Sequence, residues 1–156
     1  MDMARVLVVE DEGAIRGLLE AILRSSGHEV DEAASGEQAL ARLTENHYEV
    51  VVLDVMLGQM SGWDVLAEVE RLGLRGRTRV LALTARSQEW DFVLGWTHGV
   101  DEYLTKPFDP EVVQNAVRQV LEHTPEELAE RRKTELAKAQ LLLKLESSFQ
   151  DPDGAS

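Results

Sequence analysis

The chain has 156 residues, 44% hydrophobic and 29% charged, with 16 Lys and Arg against 29 Asp and Glu and a formal charge of −13. That field repels a polyphosphate backbone, and no apolar run approaches the roughly 20 residues of a membrane span, so neither nucleic acid nor a bilayer is an expected partner. The absence of cysteine excludes disulfides, thiolate zinc sites and a cysteine nucleophile.

Met1-Asp2-Met3-Ala4-Arg5 leads straight into the apolar run Val6-Leu7-Val8-Val9 without a signal-peptide layout, so a first strand and a cytoplasmic location are expected. Ile15, Leu18, Leu19, Ile22 and Leu23 then recur at helical spacing and stop before Gly27. A second strand falls on residues 30–34, and Ser35 with Gln38 forms a capping-box pair ahead of a helix carrying Ala39, Leu40 and Leu43. Val50-Val51-Val52-Leu53 is a third strand, and Val65, Leu66, Val69 and Leu72 mark a third helix closed by Gly73. The fourth strand is Val80-Leu81-Ala82-Leu83, the fourth helix covers 88–98, and Glu102-Tyr103-Leu104 is the fifth strand. Asp109 as N-cap and Pro110 at the first helical position open a fifth helix carrying Val113, Ala116, Val117, Val120 and Leu121. Thr124-Pro125-Glu126-Glu127 repeats the start signal, so a sixth helix is expected to about Ser147, followed by a disordered tail over 150–156.

Five strand–helix pairs, with the first, third and fourth strands apolar on both faces, indicate an α/β fold: a doubly wound, five-stranded parallel sheet with an extra C-terminal helix. Residues 1–123 would form one domain and 124–149 a helical extension. In such sheets ligands bind beyond the carboxyl ends of the strands, where strand order reverses. Glu10 and Asp11 follow the first strand, Asp54 ends the third, Thr84 the fourth, and Lys106 follows the fifth. Clustered carboxylates repel unless a cation intervenes, and an all-oxygen ligand set favours a hard ion such as Mg²⁺. Lys106 is the only lysine in the first 123 residues, whose other basic side chains are all Arg.

The runs Val6-Leu7-Val8-Val9-Glu10-Asp11-Glu12, Val51-Val52-Leu53-Asp54-Val55-Met56, Leu83-Thr84-Ala85 and Asp101-Glu102-Tyr103-Leu104-Thr105-Lys106-Pro107-Phe108 resemble the receiver domain of bacterial two-component response regulators. The resemblance spans about residues 4–123 and is to the single-domain, chemotaxis-regulator type, which has a flavodoxin-like fold. It implies that Asp54 is the phosphoacceptor, taking a phosphoryl group from a phosphohistidine on a sensor histidine kinase or phosphotransfer protein. It also implies that Asp11 and Asp54 ligate Mg²⁺ directly, with the backbone carbonyl of Met56, while Glu10 acts through water. Lys106 would hold one phosphoryl oxygen, and the Thr84 hydroxyl and Ala85 N–H the others. The implied switch draws Thr84 to the phosphoryl group and lets the Tyr103 ring turn into the vacated space, while a cis Lys106-Pro107 bond aims the lysine at the site. Slow loss of the protein's own phosphoryl group would be its only hydrolysis, without turnover of an external substrate. Output would pass by contact with an unidentified protein or through a homodimer on the face of the fourth helix, fifth strand and fifth helix, which the sixth helix would lengthen.

The sequence departs from the family pattern at two places. Gly58 stands where the family usually has Pro, in Met56-Leu57-Gly58-Gln59-Met60-Ser61-Gly62, so a looser acceptor loop is expected. Trp90 and Trp96 on the fourth helix point to an unusual partner surface. Glu12 reads as a solvated first-turn residue, and His28, His47, His98 and His123 share no ligand spacing. Leu141, Leu142, Leu143, Leu145 and Phe149 are more apolar surface than a solvated helix exposes, so the sixth helix should pack against something. From Thr124 on, five basic and seven acidic residues in 33 positions suit neither a DNA-reading helix nor a winged-helix domain. A haloacid-dehalogenase-type hydrolase needs a second Asp where Met56 stands. A pseudo-receiver serving only as an assembly module is the remaining alternative, and the intact acid cluster and Lys106 oppose it.

Overall fold

The computed structural model describes residues 3–85 and 89–150. Five strands, β1 (Arg5–Val9), β2 (Glu29–Ala33), β3 (Val50–Asp54), β4 (Arg79–Thr84) and β5 (Glu102–Thr105), alternate with α1 (Gly13–Ser25), α2 (Gly36–Glu45), α3 (Gly62–Arg71), α4 (Glu89–Thr97) and α5 (Pro110–Glu122). A sixth helix, α6 (Pro125–Gln150), follows. The expected start of α4 at Gln88 and the tail over 151–156 lie outside the described residues.

The sheet is wholly parallel in the order β2-β1-β3-β4-β5. Because side chains alternate along a strand, the apolar runs split into two cores. Val6, Val8, Val50, Val52, Leu81 and Leu83 face Leu19 and Leu23 of α1 and Val113 and Val117 of α5. Leu7, Val9, Val51, Leu53, Val80 and Ala82 face Ala39 of α2 and Val65, Leu66 and Val69 of α3. The chain order reverses between β1 and β3, which places their carboxyl ends side by side at the crevice where doubly wound sheets carry chemistry.

Cap chemistry sets several boundaries, with differences from the sequence expectation. Ser61 and Asp64 form a complete capping box at α3, and Thr124 and Glu127 exchange bonds of 2.8 and 3.0 Å at α6. At α2 only half of the expected box forms: Ser35 Oγ accepts from Gln38 N, but Gln38 Oε1 accepts from Ala34 N. Asp109 sits at the N-cap of α5 without accepting a side-chain bond, so Pro110 supplies the start signal there. Gly58 has φ +69°, a value closed to proline, whose ring holds φ near −65°. The acceptor loop therefore takes a turn that the family's usual residue could not make.

The larger difference concerns α6. Rather than lengthening α5 outward, it turns at His123 and Thr124 and packs back against α4. Leu128, 2% exposed, joins the core beside Val120, and Ala139 is buried too. Arg131 and Arg132 reach the start of β5: Arg132 pairs with Asp101, and Arg131 donates to Asp101 O and to Glu102 Oε2. Only the distal part stays open, with Leu141, Leu142, Leu145 and Phe149 exposed.

Candidate active site at the carboxyl end of the sheet

Strand register builds the site. Val9 is level with Leu53, Asp54 with Leu83, and Thr84 with Thr105, so β1, β3, β4 and β5 end on one edge. The Lys106 N–H donates to Thr84 O at 2.8 Å, continuing the ladder one residue beyond β5, and the Lys106-Pro107 bond is cis.

Glu10 is 0% and Asp54 2% exposed, whereas Asp11 is open to solvent. One carboxylate oxygen from each lies within 4.8 Å of the others. Lys106 Nζ lies 2.8 Å from Glu10 Oε1 and 2.9 Å from Asp54 Oδ2, bridging the two buried acids. The second oxygen of Asp54 accepts from Met56 N at 2.9 Å, which fixes the carboxylate plane. Burial, followed by the bond to Asp54, pushes the Glu10 carboxyl up to about 7. Burial pulls the Lys106 ammonium down, but its bonds to Glu10 and Asp54 outweigh this and its pKa ends raised, so it stays charged.

Three acids against one ammonium is an unbalanced cluster, and its all-oxygen donor set suits a hard divalent cation held by Glu10, Asp11 and Asp54. Thr84 is buried at the end of β4 and Ala85 is exposed beside it. Each residue expected at the site thus stands on this edge except Tyr103, which sits within β5 with its ring packed against α4. Its ring meets Phe92 edge-on at 4.8 Å and Trp96 at 5.2 Å.

A model of the response regulator receiver domain matches residues 6–118. The chain belongs to the response regulator receiver family. The receiver is 40% identical over 114 residues to the transcriptional regulatory protein DltR of Streptococcus agalactiae, covering 73% of this chain and 50% of that one. It is 46% identical over 105 residues to TcrA of Mycobacterium tuberculosis, covering 67% and 41%. The chain thus spans about half the length of the curated relatives it matches. Among solved structures, the chemotaxis protein CheY4 of Vibrio cholerae superposes with a TM-score of 0.73 at 31% identity, over 76% of this receiver and 99% of that chain. No helix of the receiver's described residues is long and apolar enough to cross a membrane.

Two features escaped the sequence reading. Trp96 is not a partner surface in this arrangement: it is 9% exposed, against Tyr103 on one side and 6.0 Å from the Arg131 guanidinium of α6 on the other. The side chain of Trp90 lies outside the described residues. Asp101, 1% exposed, stands in one of the resemblance-carrying runs with no role assigned from sequence, and it takes Arg75, Arg132 and the Val80 N–H. No sequence pattern marks it, because its partners stand 21, 26 and 31 residues away in the chain. The cleft of about 330 Å³ beside it, lined by Arg75, Arg79, Trp96, Leu128 and Arg132, opens at the amino ends of β4 and β5, away from the acids.

Proposed function

We propose that the receiver takes a phosphoryl group on Asp54 from a phosphohistidine of a sensor histidine kinase or phosphotransfer protein, with Mg²⁺ as cofactor, and passes the signal on by protein contact. The observation that carries this reading is Asp54 itself, a buried carboxylate held by Met56 N on one oxygen and Lys106 on the other, beside two further acids.

The reaction asks little covalent chemistry of the protein. An Asp54 carboxylate oxygen attacks phosphorus and the P–N bond breaks; its electron pair leaves with the imidazole, whose other ring nitrogen carries the proton that lets the ring depart neutral. Catalysis is then positioning and charge neutralisation. Asp11, Asp54 and the Met56 carbonyl would hold the cation, with Glu10 through water, and the ion would neutralise phosphoryl oxygens. Lys106 exchanges a carboxylate for a phosphoryl oxygen with little movement, because its ammonium already sits 2.9 Å from Asp54. Thr84 and the Ala85 N–H receive the remaining oxygens, and Thr84 moving toward the phosphoryl group vacates space for the Tyr103 ring. Residues 1–123 carry this chemistry and 124–149 form the extension.

The test is intact mass after incubation with acetyl phosphate and Mg²⁺. Wild type gains one phosphoryl mass and Asp54→Asn gains none. Absence of any gain in wild type would favour the assembly-module reading instead.

A further inference from the structure

The family's switch ends at Tyr103, but in this chain the contacts of Tyr103 continue into α6. The ring rests over Gly95 of α4, with its hydroxyl 3.3 Å from Phe92 O. A Cβ built on Gly95 would overlap Tyr103 Oη and lie 2.5 Å from its Cζ. The absent side chain at position 95 is therefore what admits the ring. Trp96, the next residue, packs edge-on against the same ring and carries Arg131 of α6 at 6.0 Å on its other side.

A second path runs through the backbone. Glu102 Oε1 accepts from Tyr103 N at 3.0 Å, and Glu102 Oε2 accepts from Arg131 Nη2 at 2.9 Å. One carboxylate thus joins the switch residue to the helix. Asp101 and Arg132 form a neighbouring pair on the same strand entrance. Leu128 and Ala139 complete the apolar side of the contact.

We propose that the α4–β5 face is a helix-binding surface whose resident is α6, and that phosphorylation evicts it. The inference rests on Asp54 being the phosphoacceptor. When Tyr103 turns toward Thr84, the niche over Gly95 empties and Trp96 loses the ring that backs it. Arg131 then loses its aromatic seat, and Glu102 shifts with the backbone it caps. Leu128 and the pairs Arg132–Asp101 and Arg77–Glu126 still anchor the start of α6, but the contacts with Trp96 and Glu102 are lost, so its docking weakens and the Trp96 surface opens. What fits that surface is written in α6: a helix with two adjacent arginines one turn beyond a buried leucine.

Because the chain lacks cysteine, a pair introduced at exposed Glu45 and Lys144 takes nitroxide labels cleanly. Pulsed electron–electron distance measurement on the full-length Glu45→Cys/Lys144→Cys protein should give one narrow distance without phosphate. Acetyl phosphate and Mg²⁺ should replace it with a broad distribution, with mass spectrometry of the same sample reporting phosphorylation. A phosphorylated sample with an unchanged distance overturns the inference and leaves the phosphoacceptor reading intact. No gain in mass overturns both. Gly95→Ala, which denies Tyr103 its niche, and Arg131→Ala, which removes the grip directly, should each broaden the distribution without phosphate. An unchanged narrow distance in both variants also overturns the inference.

Discussion

Lys106 separates two things that are easily confused, acquiring a phosphoryl group and responding to it. Its ammonium contacts Asp54 and Glu10 but stands behind no nucleophile. Lys106→Ala should therefore still gain phosphoryl mass from acetyl phosphate, while the accompanying change in tryptophan fluorescence falls several-fold. A wild-type response from the variant would remove the lysine from the switch. His28 offers a second test at this scale. Its Nδ1 accepts from Ala4 N at 3.1 Å, and burial lowers its pKa from 6.5. The unfolded chain thus binds a proton first as pH falls through 6.5, and the stability contributed by neutral His28 is lost below that value. Glu10, with its carboxyl raised to about 7, works in the opposite sense between 7 and 4.5. The informative quantity is therefore a difference: wild type should lose stability relative to His28→Gln between pH 7 and pH 5 in urea melts. A constant difference across that range would show that the imidazole stays accessible to protons.

At the scale of elements, what was legible in the sequence followed local rules. Strand runs such as Val50-Val51-Val52-Leu53, the Pro110 start of α5 and the Thr124–Glu127 box are settled within a few residues, and each element stands where its pattern put it. The acids and Lys106 were legible for the same reason, since strand ends in a parallel sheet share an edge. The return of α6 onto α4 was not legible, because it depends on Arg131, Arg132 and Asp101 meeting across about 30 residues of chain. Amphipathicity says that a helix needs a partner and not which one. Nor could spacing show that Tyr103 uses the space over Gly95. The two halves of α6 should differ sharply in energetics. Leu128 is 2% exposed in the core, so Leu128→Ala should cost about 2–4 kcal/mol, whereas Leu142→Ala, 46% exposed, should stay within about 0.5 kcal/mol. Denaturant midpoints measured at constant slope decide it; similar costs at both positions would mean that the distal half is also buried in solution.

For the molecule as a whole, α6 changes what the α4–β5 face can do. With Trp96 covered, pairing through that face is closed in this arrangement, while Leu141, Leu142, Leu145 and Phe149 at the distal end of α6 stay exposed. A homodimer that uses the α4–β5 face together with this distal surface, the pairing that the family resemblance implies, should therefore depend on phosphorylation. Sedimentation velocity should show a monomer without phosphate and a shift toward twice that mass with acetyl phosphate and Mg²⁺. The replacement of Leu145 and Phe149 by Ser should reverse the shift. Identical sedimentation in every condition would leave docking onto a different protein as the output.

The uneven exposure of the three acids gives the site a single approach. Glu10 and Asp54 are closed off and, of the three, Asp11 alone faces water, so on the proposed reading the cation and the phosphoryl donor come in from the same side. By thermodynamic reciprocity, whatever factor one adds to the affinity for the other is returned in equal measure. Metal affinity then becomes a gauge of whether Asp54 carries a phosphoryl group.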